Sequence, residues 1–231
     1  MLNPVLRLST LLVILTLGTT LACGGGGGIK DSGDPGKLWV QPSPAFLTPG
    51  ASLVFQAVPE VNSEAPYIRT ATWSVLEPSG GSVQAIGNGE YATYTAPAVL
   101  GTFHLKAVSE YGEARYVPRP GTVQVVDPKG VSVSVSPSSF VVVKDYTGPA
   151  PRFTSAITPL TNTHVTWSVV EPGYEGPGLI QLVPQDLTRT CSLGWDNNAS
   201  LDRLPGNLFH VRVQSAEAPT AYALVEVQVL R

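Results

Sequence analysis

Charge, cysteine, methionine and histidine are all scarce in this chain. Only 13% of the 231 residues are charged, 14 basic against 17 acidic, and there are two Cys, one Met and three His. The basic residues are scattered and form no stripe that could neutralise a phosphate backbone, so nucleic acid is not an expected partner. Two cysteines, Cys23 and Cys191, are too few for a disulfide framework or a C-x-x-C zinc site. No HExxH, GxSxG or phosphate-loop pattern occurs. Helical periodicity is missing as well, since no segment of about a dozen residues beyond the amino terminus carries apolar positions at helical spacing. Gly and Pro, by contrast, number 23 and 21, and the apolar content is rich in Val and Leu beside Thr and aromatics. That is an all-β profile.

The longest apolar stretch is Leu8 to Leu17, LSTLLVILTL. Ten residues at about 1.5 Å each cannot cross a hydrocarbon core of about 30 Å. With Arg7 before it and the small residues Gly18 to Ala22 after it, residues 1–22 have the layout of an export signal that is removed. Its end resembles the bacterial lipoprotein signal, in which a small residue precedes a cysteine. Here Leu21 and Ala22 precede Cys23, with Thr20 at the position three upstream of the cysteine where that family usually has Leu. The resemblance implies a covalent lipid on Cys23 and a mature chain anchored in a membrane, with no other cofactor. Gly24 rather than Asp after the cysteine resembles the signal for an outer-membrane destination, facing the periplasm or the cell surface. A Cys23 to Cys191 disulfide is the competing expectation, disfavoured by the five glycines beside Cys23. Cys191, in TRTCSLGW, reads as a small buried thiol in a strand.

Residues 23–37 include GGGGGIKDSGDPGK, with Ile29 its one apolar side chain, and read as a flexible tether. Then the chain repeats itself. Thr72 to Pro78 is TWSVLEP and Thr166 to Pro172 is TWSVVEP. Ser43-Pro44-Ala45-Phe46 answers Ser136-Pro137-Ser138-Ser139-Phe140 with one residue inserted. FHLK at Phe103 answers FHVR at Phe209, and Val123-Gln124-Val125 answers Val227-Gln228-Val229. Four matches in the same order make two copies of one module, 38–128 and 129–231.

Each copy has about seven short apolar runs between Gly, Pro, Asn or Ser turns, the spacing of a β-sandwich. Strands are predicted at 38–41, 52–58, 70–76, 82–86, 91–95, 102–109 and 122–126, then at 131–135 continuing to 143, and at 153–157, 165–170, 180–183, 189–193, 209–215 and 222–230. Alternation turns Phe103, Leu105 and Ala107, and Phe209, Val211 and Val213, to one face. His104, Lys106 and Val108, and His210, Arg212 and Gln214, take the other. Trp73, Val75, Trp167 and Val169 fall on the apolar side of the third strand.

The first copy resembles the bacterial Ig-like, Big-type, domains of surface proteins. It has Leu47-Thr48-Pro49-Gly50, the TWSV strand, Gly89-Glu90-Tyr91, Tyr94-Thr95-Ala96-Pro97 and Gly101-Thr102-Phe103. The second copy keeps the TWSV strand and the closing pair, but TRTCSLGWDNNASLDRLPG replaces the YTAP segment. The resemblance implies two tandem Ig-like sandwiches and no particular activity.

Candidate chemistry is thin. His104 and His210 are equivalent positions in separate copies, which reads as duplication rather than as one site, and His164 stands alone. Glu77 and Glu171 lie a domain apart and read as strand ends before a Pro turn. Asp196, Asn198 and Asp202 gather oxygens as a Ca²⁺ loop does, though without EF-hand spacing, and ordinary turn chemistry accounts for them. Trp39, Tyr67, Tyr111, Tyr116, Tyr146, Tyr174 and Trp195 lie near predicted turns, where they either close the core or offer a stacking surface. The expectation is a non-catalytic, lipid-tethered envelope protein presenting two modules to a protein or polysaccharide partner. The alternative is an accessory subunit of a periplasmic or outer-membrane assembly that docks through an exposed edge strand such as Val131 to Val135.

Overall fold

The computed structural model describes residues 36–60, 70–113, 116–146, 148–176, 178–185, 189–195 and 198–230. The signal segment, Cys23 and all of the expected tether before Gly36 lie outside the described residues. Nine strands come from the first copy: β1 (Gly36–Gln41), β2 (Ala45–Leu47), β3 (Ser52–Pro59), β4 (Ala71–Val75), β5 (Ser82–Ile86), β6 (Tyr91–Thr95), β7 (Gly101–Ser109), β8 (Tyr116–Arg119) and β9 (Gly121–Val125). The first takes in Gly36 and Lys37, so it begins inside the segment expected to be tether. They form a five-stranded sheet in the order β5-β6-β3-β1-β8 and a four-stranded sheet in the order β2-β9-β7-β4.

The second copy supplies β10 (Ser132–Ser136), β11 (Ser139–Val143), β12 (Arg152–Thr158), β13 (Val165–Val169), β14 (Ile180–Gln185), β15 (Thr190–Trp195), β16 (Leu208–Ser215) and β17 (Tyr222–Leu230). A single helical turn, α1 (Asn198–Asp202), lies between β15 and β16. The sheets are β10-β12-β15-β14 and β11-β17-β16-β13. In both copies the first strand begins in one sheet, antiparallel to its neighbour. The chain then crosses at a proline and continues in the other sheet, parallel to the last strand. This strand order, four strands of the ABED kind facing a CFG sheet, is the Ig-like sandwich.

Two expectations change. The strand predicted to run from Val131 through Val143 is broken, because Pro137 cannot donate to a ladder and the chain changes sheets there, so β10 and β11 pair with β12 and β17 respectively. Neither the short strand β2 after Pro44 nor the pairing strand β8 was predicted. Pro118 and Pro120 make YVPRP read as loop, yet proline is tolerated at a sheet edge where its nitrogen faces away from the neighbour.

The alternating pattern does the folding work in both halves. Phe55, Tyr94, Leu38, Leu47, Leu105 and Val123 are fully buried in the first core, and Phe153, Phe209, Ile180, Leu193, Val211 and Val227 in the second. Each such side chain contributes about 2 kcal/mol relative to exposure. Phe55 meets Tyr94 edge to face at 6.0 Å. The Tyr94 hydroxyl is satisfied inside the core by donating to the Gly80 carbonyl at 2.7 Å.

The two sandwiches are tied by more than the 3-10 turn Pro128–Gly130. The Phe46 amide donates to Thr161 Oγ1 at 2.7 Å, and the Thr161 amide returns a bond to the Phe46 carbonyl at 2.9 Å. Thr48 Oγ1 donates to the Glu217 carbonyl at 3.3 Å. Val126 packs against a second apolar cluster of the carboxy-terminal sandwich that includes Val131, Leu160 and Ala218.

Candidate functional site

The repeated motifs meet in space. In the first sandwich the Glu at the end of TWSVLEP touches the His of FHLK. Glu77 Oε2 accepts from the His104 amide at 2.8 Å, and its Oε1 lies 2.6 Å from His104 Nδ1. In the second, Glu171 repeats both contacts with His210 at 2.7 and 2.6 Å. Each Glu follows the edge strand β4 or β13, and each His stands on the neighbouring β7 or β16, so the pair bolts the end of the edge strand to the sheet. The hydrogen bond from His104 holds the Glu77 carboxyl below the ordinary carboxylate range against partial desolvation. At Glu171 burial pushes upward, but the bonds from His210 together outweigh it and the carboxyl again lies low.

His and Glu therefore come into bonding reach, a pairing that reading the histidines as duplicated positions and the glutamates as strand ends did not make. The pairs sit on the outward side of their strands, between core residues Phe103 and Leu105, and Phe209 and Val211. Two copies of the same clamp in two sandwiches are a structural device of the module. The signal was in the sequence, since Glu and His are duplicated together. His164 is exposed in the loop before β13, its amide donating to Asn162 Oδ1 at 3.2 Å.

Other reactive groups are occupied structurally. Cys191 is free and fully buried, and burial pushes its thiol up to about 11, which makes it a packing residue. Asp202 forms an ion pair with Lys144 at 3.2 Å, so one of the three candidate cation ligands has a basic partner. Asp196 and the Asn198 side chain lie outside what is described. Among the described residues no group of three or more His, Cys, Asp or Glu gathers.

The aromatics divide. Tyr116 and Tyr174 are buried, and Tyr146 packs on Trp195 with ring centroids 5.7 Å apart. Tyr67 lies outside the described residues. Trp39 and Tyr111 are exposed, as are Tyr91 and Tyr222, which were not among the candidates. Trp39 and Tyr91 share the outer face of the five-stranded sheet. The pairings Trp39 with Val58, Gln41 with Gln56, Gln56 with Tyr91, and Tyr91 with Ile86 place them on one surface, two strands and one pleat repeat apart. From strand geometry that separation is about 12 Å. Between and beside them stand exposed Val54, Gln41, Gln84, Ser52 and Ser82, with Thr93 and Thr95. The Ser52 and Thr95 hydroxyls bond at 2.9 Å. Charge enters where Lys37 pairs with Glu60, where Glu90 takes a bond from Gln56, and on β8, where exposed Arg119 lies opposite Trp39.

No protein-family model matches the sequence, and no curated protein matches it. Among solved structures, the chain is similar to domains 5–6 of the S-layer protein SbsC, at 12% identity over 84% of this chain and 96% of that chain, with a TM-score of 0.34. It is similar to the Yersinia pseudotuberculosis adhesin InvE at 16% identity over 89% of this chain and 61% of that one, with a TM-score of 0.31. A tandem of titin domains covers 84% of the chain at 10% identity, with 66% of the titin chain covered and a TM-score of 0.37.

Proposed function

We propose that this chain is a non-catalytic, lipid-tethered envelope protein of the bacterial Ig-like kind, with Cys23 as the lipid attachment point. It presents the outer face of its five-stranded sheet to a polysaccharide or protein surface. The observation that carries this reading is the chemistry of that face: Trp39 and Tyr91 are exposed together on a rigid sheet, among Gln, Ser and Thr side chains. Exposed aromatics supply large contact area at low entropic cost, and the amides and hydroxyls between them, with Arg119 opposite Trp39, select by hydrogen bonding. The Glu-His pairs and buried Cys191 are accounted for by stability.

The test is retention of the purified chain on intact cells and on immobilised cell-surface glycans, comparing the wild type with Trp39→Ala and Tyr91→Ala. Each substitution removes an exposed ring and leaves the core intact, so stability is expected to change by less than about 1 kcal/mol. Retention is expected to fall at least tenfold with either. Undiminished retention by both variants would remove this face from the account.

A further inference from the structure

We infer that the free edge of the second sandwich, β10, takes one extended segment of a partner protein, running parallel to it and turning an aromatic side chain toward the core. This surface is separate from the aromatic face proposed above, and it follows from a difference between the two copies. Val40 stands five residues before Ala45, which pairs with Val123; Val135 stands five residues before Phe140, which pairs with Val227. Val135 is therefore the counterpart of Val40, and Val133 that of Leu38.

In the first copy this edge is covered. Strand β8 adds to β1 in parallel, with Tyr116 beside Gly36 and Pro118 beside Leu38. Tyr116 is 1% exposed, Leu38 0% and Val40 2%. The chain then crosses back so close that a Cβ on Gly121 would lie 2.7 Å from Val40 Cγ1. Among the described residues the second copy has no counterpart of β8. Its chain passes from β16 to β17 through residues 216–221, β10 ends its sheet, and Val133 and Val135 are left half-buried.

The peptide groups point the same way. The Ser155 amide donates to the Arg189 carbonyl, on the far side of β12 from β10. Because Ser155 is opposite Val135, the amides of Val135 and Val133 turn away from β12 and toward the free edge. In β1 the equivalent residues, Leu38 and Val40, turn theirs toward β8, since the Lys37 carbonyl accepts from Glu60 on the β3 side. Natural edges are commonly blunted by charge, yet Ser132–Ser136 is SVSVS and carries none. The first copy thus supplies the template for the occupant of the second: a parallel strand with an inward aromatic and no need of an N–H at the position of Pro118.

The probe is a synthetic peptide of residues 113–120, EARYVPRP, titrated into the isotopically labelled full chain and read by amide NMR. Saturable shifts and slowed exchange are expected at Val133 and Val135. Val133→Pro removes an outward N–H without breaking the β10 to β12 ladder, and it is expected to weaken binding at least tenfold. A peptide N-methylated at Val117 and Arg119, or carrying Tyr116→Ala, is expected to do the same with the wild-type protein, independently of how any variant folds. Three results would overturn the proposal. These are absence of shifts at millimolar peptide, equal binding of the N-methylated peptide, or doubling of mass through β10 without peptide, which would make a second copy the occupant.

Discussion

Removing the carboxylate of either Glu-His pair, by Glu77→Ala or Glu171→Ala, tests whether the repeated motifs are clamps. Each carboxylate accepts two bonds, from the His amide and from Nδ1. Bonds to a charged group are worth about 1.5 to 3 kcal/mol each when shielded. These glutamates are each about a third exposed, 32% by side chain, and water replaces part of what is lost. The expected cost is about 1 to 2 kcal/mol per pair. For a sandwich of this size that lowers the melting temperature by roughly 4 to 16 °C. The sign of the pH dependence is set by the lowered Glu values. Stability from a lowered carboxyl is present above its unfolded value, ordinarily 4.5, and is lost as pH falls through the folded value. Urea denaturation of wild type and variants at steps from neutral pH to about pH 3 is the assay. The variants are expected to be less stable at neutral pH, with the gap closing in acid. A gap below about 0.3 kcal/mol at pH 7, or one that stays constant into acid, would refute the clamp.

Three further outcomes follow from the same geometry. Gly89 has a φ of +93°, and a Cβ there would lie 2.1 Å from the Ala71 carbonyl oxygen, so Gly89→Ala is expected to cost about 3 kcal/mol in chemical denaturation. It would also disturb the bond from Trp73 Nε1 to the Gly89 carbonyl, visible as a change in Trp fluorescence. Cys191 is expected to react with a maleimide only after unfolding, and labelling at native rates comparable to a free thiol would contradict its burial. At the junction, both carboxylate oxygens of Glu217 are buried without a hydrogen-bond partner. Burial raises this carboxyl, and the nearby Asn162, Thr48 and His164 offset it only in part, none of them within hydrogen-bond geometry of its oxygens. A raised carboxyl stabilises below its unfolded value and loses that contribution as pH rises through the folded one. Glu217→Gln is therefore expected to raise stability by about 1 kcal/mol at pH 7 and to make no difference near pH 4; destabilisation at pH 7 would contradict this.

Period-two alternation made most of the strands legible, because most of them bury a single face. Ser82–Ile86, Tyr91–Thr95 and Tyr222–Leu230 fall where alternation places them, and Phe103, Leu105, Phe209 and Val211 turn inward as it requires. What alternation cannot report is which strand is the neighbour. The crossing at Pro137 and the addition of β8 to β1 are pairing events, decided by contacts far apart in sequence. The Glu-His pairs were missed for a related reason: their members are 27 and 39 residues apart, and only their joint duplication links them. Trp39 was left open between core and stacking surface and Tyr91 was not singled out, because an outward aromatic on a strand looks like a core residue until the sheet's other side is known.

The most direct measurement of the tethered, non-catalytic account is incorporation of labelled fatty acid into the chain made in a bacterial host, with Cys23→Ala as control. The account predicts label on the wild type, none on the variant, and release of the variant from the membrane fraction. A wild-type chain that takes up no label, or a Cys23→Ala chain that is labelled and retained equally, would contradict it.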